Sequence, residues 1–283
     1  MRESVQPDVS VVIPHRGKDE KLEVCLEAIR AQTYPSPLVE VLIVLNEPEE
    51  RVLTFGLMSN ERVLWQSKLH SYAARNLGLL QSRGQIIALT DSDTIPEPSW
   101  ISNGASTLVR GADIVAGRIE LTFSRFPLTA AACYEKLFSF DQEKNARLGL
   151  SATANLIAYK SVFDRHGLFN GAESSGEDFR WTGSASAQGA RLIFADNVVV
   201  QHPARESLQG LIRKAVRVSS GFHRAEGALP RLSSAISYFF ATRGVPPSLS
   251  KVTACSGREK IAAYSVAALI WITKLWFFFR KPR

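Results

Sequence analysis

The stretch Ile86-Ile87-Ala88-Leu89-Thr90-Asp91-Ser92-Asp93 is an apolar run of strand length that stops on two carboxylates separated by one residue. A short continuous apolar run bounded by polar residues reads as a buried strand, so Asp91 and Asp93 stand where that strand leaves the core. Carboxylates at i and i+2 share one face of a strand, and just past its end they can converge on a hard cation. The same triplet also serves as a solvated turn cap, so the surrounding sequence carries the decision. Toward the N-terminus, Val9-Ser10-Val11-Val12-Ile13 before Pro14, and Val39 to Leu45, are β-rich runs of the same kind, and Arg62 to Trp65 suggests a short third strand. Between them Leu22, Cys25, Leu26 and Ile29 recur every three or four residues and predict a helix over 18–32. Tyr72, Leu77 and Leu80 predict another over 71–83 that stops at Gly84. This alternation predicts an α/β fold with a doubly wound, mainly parallel sheet, whose ligands bind at the carboxyl ends of the strands. Asp91 and Asp93 fall at such an end.

The chain has 283 residues, 45% hydrophobic and 22% charged, enough to bury a sizeable core and unlike a disordered segment. Cys25, Cys133 and Cys255 are far apart with no paired spacing, which argues against a zinc knuckle or a disulfide framework and for a reducing setting. Met1 to Asp8 is short and polar, unlike a secretory leader, so the cytosolic side is the expected location. A net charge of +7 implies attraction to anions: nucleotide diphosphates, acidic headgroups or nucleic acid. No nucleic-acid partner is expected, because basic residues interleaved with exposed aromatics, or a recognisable binding module, are missing. Positive charge instead concentrates after His202, beside a stretch from Ile261 to Phe279 that is almost wholly apolar or small, broken by Lys274 and flanked by Arg258, Lys260, Arg280, Lys281 and Arg283. At about 1.5 Å per residue such a helix nearly crosses a hydrocarbon core of roughly 30 Å. It can equally lie in the interface with Trp271, Trp276 and Phe277 to Phe279 among anionic headgroups. Contact with the cytoplasmic face of a membrane, peripheral or anchored by this helix, is the expectation.

The order of these pieces resembles family 2 glycosyltransferases of the GT-A (nucleotide-diphospho-sugar transferase) fold. The residues that carry the resemblance are Val9 to Pro14, Cys25-Leu26 and Gln32, Ala74-Arg75-Asn76-Leu77-Gly78, Gly84, Asp91-Ser92-Asp93, then Pro98 and Trp100. The second half agrees with Ala154-Asn155-Leu156, Val162-Phe163, Gly167-Leu168-Phe169, Gly176-Glu177-Asp178, Gly189, Ala195 and His202. The likeness implies a GT-A domain over residues 1–205, with a nucleotide-binding half over about 8–100 and an acceptor and catalytic half over about 101–205. A basic helical extension with its apolar terminal helix would occupy 206–283.

Transfer from a nucleotide sugar sheds a diphosphate, whose growing charge a divalent cation stabilises as a Lewis acid. The resemblance implies Mn²⁺ or Mg²⁺ on Asp91, Asp93 and His202, with imidazole suiting Mn²⁺; a strand-capping histidine is the alternative for His202. It further implies donor contacts from Pro14, His15, Arg16, Asn46, Arg75 and Asp91, and acceptor-side roles for Asn155 and Trp181. Asp178 is the expected base that takes the acceptor hydroxyl's proton, with Glu177 orienting it, and the outcome is inversion. Acids at a helix N-terminus also simply complement its dipole. Where the family's second strand ends in an aspartate that reads the base, this chain has Leu45, which weakens the expectation of a UDP-sugar donor. The expected acceptor is a saccharide or a lipid-linked molecule, in surface polysaccharide or glycolipid synthesis. The alternatives are a polyprenyl-phosphate sugar synthase and a non-catalytic nucleotide-sugar-binding relative.

Overall fold

The computed structural model describes residues 6–226 and 246–279. Arg280, Lys281 and Arg283, and the side chains of Phe277 to Phe279, lie outside the described residues.

An eight-stranded mixed sheet organises the chain, in the order β3-β2-β1-β4-β7-β6-β8-β5. Strands β1 (Val9–His15), β2 (Val39–Leu45), β3 (Glu61–Trp65) and β4 (Ile86–Thr90) pair parallel, joined by α1 (Glu20–Arg30) and α2 (Ser71–Gln81). Every residue of β2 is buried, as expected for a parallel strand covered on both faces. Leu22, Cys25, Leu26 and Ile29 form the buried stripe of α1, the face that their spacing predicted. On one side of the sheet Val12, Leu42, Val44, Ile87 and Leu89 pack with Tyr72, Ala74 and Leu79 of α2 and with Phe163, Phe169 and Trp181. Gly84 lets the chain cross tightly beneath β1: a Cβ there would sit 2.7 Å from the Ser10 backbone nitrogen.

Two strands run against their neighbours, which the linear alternation did not foretell. Strand β7 (Asn155–Tyr159) lies between β4 and β6 (Ile114–Thr122), antiparallel to both. The short β5 (Ile95–Pro96) pairs antiparallel with β8 (Leu192–Pro203), matching Ile95 to Gln201. Helix α3 (Trp100–Val109) follows β5, and α6 (Lys160–His166) and α7 (Glu177–Ala187) lie between β7 and β8.

By contacts the chain divides into two compact units: residues 1–120 with 142–202, and residues 121–141 with 203–283. The first holds nearly all of the sheet. In the second, α4 (Ala130–Phe138), α8 (Leu208–Glu226) and the helix Gly257–Phe279 share two apolar clusters, one of Ala131, Leu211, Ala215, Val266 and Ile270, the other of Cys133, Leu137, Cys255 and Ala263. Residues 121–141 thus group with the C-terminal part of the sequence. Beside those clusters the fully buried Glu135 is held by Arg205 at 3.2 Å and Lys214 at 3.5 Å. All three cysteines are buried and free. No helix among the described residues is long and apolar enough to cross a membrane.

Candidate active site

Asp91 and Asp93 leave the end of β4 on a turn that is tied down from inside. Thr94 Oγ1 donates to the Asp91 carbonyl at 2.8 Å and shares a 2.7 Å hydrogen bond with Thr90 Oγ1, while Cys25 Sγ lies 3.6 Å from the same carbonyl. Burial pushes the Cys25 thiol up to about 12, so it packs as an apolar group. The β5–β8 pairing explains why a residue so distant in sequence joins the two aspartates. Ile95, two residues past Asp93, is matched to Gln201, one residue before His202. His202 Nε2 accordingly lies 3.9 Å from Asp91 Oδ2 and 3.7 Å from Asp93 Oδ1.

One ligand atom from each of these three residues falls within 4.8 Å of the others. The imidazole is buried and the carboxylates are about one-third exposed, so the cluster opens on the carboxylate side. Cations already balance the acids: Arg75 pairs with Asp91 Oδ1, and Lys21 lies 3.8 Å from Asp93 Oδ2. Two carboxylates and one imidazole are a donor set that fits a divalent ion such as Mn²⁺ or Mg²⁺, with open positions for further oxygen ligands.

Asp178 sits in the first turn of α7, entered through Gly176 at φ +81°, a left-handed conformation suited to glycine. Tyr72 Oη donates to Asp178 Oδ1 at 3.0 Å, and the Phe179 backbone N–H donates to the same oxygen at 3.0 Å. Burial pushes the Asp178 carboxyl above the usual carboxylate range, against the pull of Tyr72, of Arg75 and of the Phe179 and Thr153 backbone N–H groups. The base candidate and the metal cluster meet through α2. Arg75 lies one turn after Tyr72, its guanidinium 5.7 Å from the centre of the Tyr72 ring, and reaches Asp91 on its other side.

Glu177 is turned inward. It accepts from the Asn170 backbone N–H at 2.8 Å and from Arg180 at 2.9 Å, and so braces the loop that precedes Asp178. Asn76 does likewise, bonding both backbone polar groups of Phe169. Asn155 and Trp181 face the core and not an acceptor. The Asn155 amide is fully buried, accepts from Trp100 Nε1 at 2.9 Å and donates to the carbonyls of Arg118 and Val198 at 2.8 and 2.9 Å. Trp181 stacks on Phe163 at 4.5 Å and donates to the Gly167 carbonyl.

At the end of β1, Pro14 is half-buried, His15 buried and Arg16 exposed. His15 Nε2 lies 3.0 Å from Asp19, which Arg51 grips with two nitrogens at 2.7 and 3.0 Å. Hydrogen bonds from Arg51, His15 and Thr54 hold Asp19 far below the usual carboxylate range, and burial keeps His15 below its ordinary value. Periodicity gave no sign of this network, since Asp19 and Arg51 are 32 residues apart. Asn46, next to Leu45, spends its amide nitrogen on the carbonyls of Gln66 and Lys68.

The sequence matches the family model described as glycosyl transferase family 2 over residues 10–162. It is 34% identical over 226 residues to glycosyltransferase AglE of Haloferax volcanii, covering 77% of this chain and 74% of that protein. The fold is similar to mannosyltransferase PcManGT from Pyrobaculum calidifontis, solved with GDP-Man and Mn²⁺, at TM-score 0.62 and 16% identity, covering 99% of this chain and 89% of the other. It is also similar to residues 1–349 of S. aureus TarS in complex with UDP-GlcNAc, at TM-score 0.55 and 13% identity, covering 96% of this chain and 89% of the other.

Proposed function

This chain belongs to glycosyl transferase family 2 and is a glycosyltransferase of the GT-A fold, and from that premise we propose that it carries a sugar from a nucleotide-diphosphate donor to an acceptor hydroxyl, with divalent-metal dependence and inversion at the anomeric carbon. The observation that carries this reading is the meeting, in one unit, of the Asp91, Asp93 and His202 cluster with Asp178 through the first turns of α2. Asp91, Asp93 and His202 would hold the ion, Mn²⁺ or Mg²⁺. A divalent cation there supplies Lewis-acid stabilisation to the departing diphosphate. Asp178 receives the proton of the attacking hydroxyl; burial raises its affinity for protons, the direction that serves a proton acceptor. Arg75, buried between Tyr72 and Asp91, stands where a diphosphate's charge would be met. A uridine donor fits the family but is weakened by Leu45, which is buried and offers no acceptor. The acceptor in this reading is a saccharide or lipid-linked sugar in glycan synthesis.

A panel of UDP-, GDP- and dTDP-sugars, screened for release of nucleotide with Mn²⁺ or Mg²⁺, tests the reading, with product anomers read by NMR. We expect turnover of one donor that disappears with chelator and in Asp93→Ala. Metal-independent turnover, or a product of retained configuration, would overturn it.

The same proposal places the enzyme on the cytoplasmic face of a membrane, with its last described helix lying in the interface. Gly257–Phe279 buries Ala263, Val266 and Ile270 against α4 and α8 and exposes an apolar stripe on its other side: Ile261 at 72%, Tyr264, Leu269, Ile272 at 60% and Trp276 at 51%. Residues 203–283 carry 14 lysines and arginines against three acids, a charge complementary to anionic headgroups. Flotation with phosphatidylglycerol vesicles should carry the protein, high salt should release it, and Ile272→Asp should abolish it; equal behaviour with neutral vesicles, or no flotation at all, counts against this placement.

A further inference from the structure

We propose that Tyr72 is a positioning residue for the transfer reaction, acting through Asp178; this rests on the reading of Asp178 as the base. The two residues are 106 positions apart, yet the phenol oxygen donates to the carboxylate at 3.0 Å. Tyr72 is almost fully buried, and its ring packs near Phe169 at 5.7 Å, so the hydroxyl has little freedom to turn elsewhere. Burial and the Asp178 charge both raise the phenol's proton affinity, so Tyr72 stays a donor at every working pH. A fixed donor favours the ionised carboxylate and orients it. The other groups facing Asp178 are Arg75, from the same helix α2, and the backbone N–H groups of Phe179 and Thr153. On its own helix, Glu177 and Arg180 are engaged with each other at 2.9 Å.

The geometry gives α2 two tasks one turn apart. Tyr72 fixes the proton acceptor and Arg75 fixes Asp91 of the metal cluster. A shift of this helix would misplace both together.

The test is the pH dependence of kcat/KM for the wild type, Tyr72→Phe and Asp178→Asn. In Tyr72→Phe the carboxylate loses its donor and binds protons more tightly, so the acid limb moves to higher pH. We expect kcat/KM about tenfold lower than wild type on that limb, the equivalent of about 1.4 kcal/mol, with the alkaline plateau and donor KM nearly unchanged. A merely structural role would lower the melting temperature and the plateau and leave the limb in place. 3-Fluorotyrosine at position 72, a stronger donor of nearly the same shape, should move the limb the other way. If Asp178→Asn is inactive while neither change at position 72 moves the limb, the role of Tyr72 is refuted and the base assignment stands. If Asp178→Asn turns over normally, both fall.

Discussion

Asp178→Asn should abolish transfer and make the protein more stable. The side chain is nearly isosteric, and its amide oxygen can still accept from Tyr72 and Phe179, which bond the carboxylate at 3.0 Å each. It can neither take a proton nor carry charge. Burial raises the folded-state proton affinity of Asp178 above its unfolded value. Such a group stabilises the fold fully below its unfolded pKa, near 3.9, and that contribution is lost as pH rises through the folded value. Ionising this carboxylate in the folded protein therefore costs stability, a burden that asparagine removes. Substitutions that relieve a functional strain commonly stabilise by about 0.5–2 kcal/mol, which for a unit of this size raises the melting temperature by roughly 1–8 °C. Removal of a general base lowers the rate by about 10²–10⁴. Calorimetric melts between pH 4 and 8, beside initial rates, check both halves, and the stability difference should shrink as pH falls. An inactive variant that melts below the wild type at pH 7 would show that Asp178 is a structural acid. A stable variant with undiminished rate would favour an acceptor that is already an anion, such as a polyprenyl phosphate.

Asn155→Leu should fail on stability before it fails on chemistry: it strands Trp100 Nε1 and two strand carbonyls in the core, at about 1–3 kcal/mol each, and a melting temperature within 2 °C of wild type would contradict the account. Asp19→Asn should cost about 2 kcal/mol at pH 7, less than a fully buried pair, because Arg51 is 30% exposed. Since the Asp19 pKa is depressed, that stabilisation is present above about pH 4 and lost in acid, so wild-type and variant urea midpoints should converge as pH falls. Gly84→Ala should destabilise by at least about 1–3 kcal/mol, because its Cβ would meet the backbone of Val9 and Ser10; an unchanged urea midpoint would contradict the close approach.

The parallel half of the sheet was legible because its signals are local. Val39 to Leu45 matches β2 at both ends, and the apolar spacing in α1 is the spacing of its buried face. The candidate metal site was named from residue types and their order, yet the reason Asp91, Asp93 and His202 converge is the pairing of Ile95 with Gln201, which no local pattern announces. Asn155 shows the opposite failure. Its place in a motif suggested an acceptor contact, but the amide closes hydrogen bonds to carbonyls 37 and 43 residues away. Trp181, likewise given an acceptor-side role by the resemblance, stacks on Phe163 in the core. Tyr72 read as an ordinary core residue of an amphipathic helix, because a hydroxyl on an apolar face has no periodicity that distinguishes it from phenylalanine.

The β5–β8 pairing also bears on how the protein is made. Gln201 also reaches back 104 residues to Glu97, so a chain emerging from the ribosome exposes Asp91 and Asp93 long before His202 exists to close on them. In the proposed metal-binding reading the aspartates are until then an unfinished receptor, and truncated translation products should bind cations feebly. Ion uptake by arrested chains of increasing length would then record the moment at which the last strand slots into place.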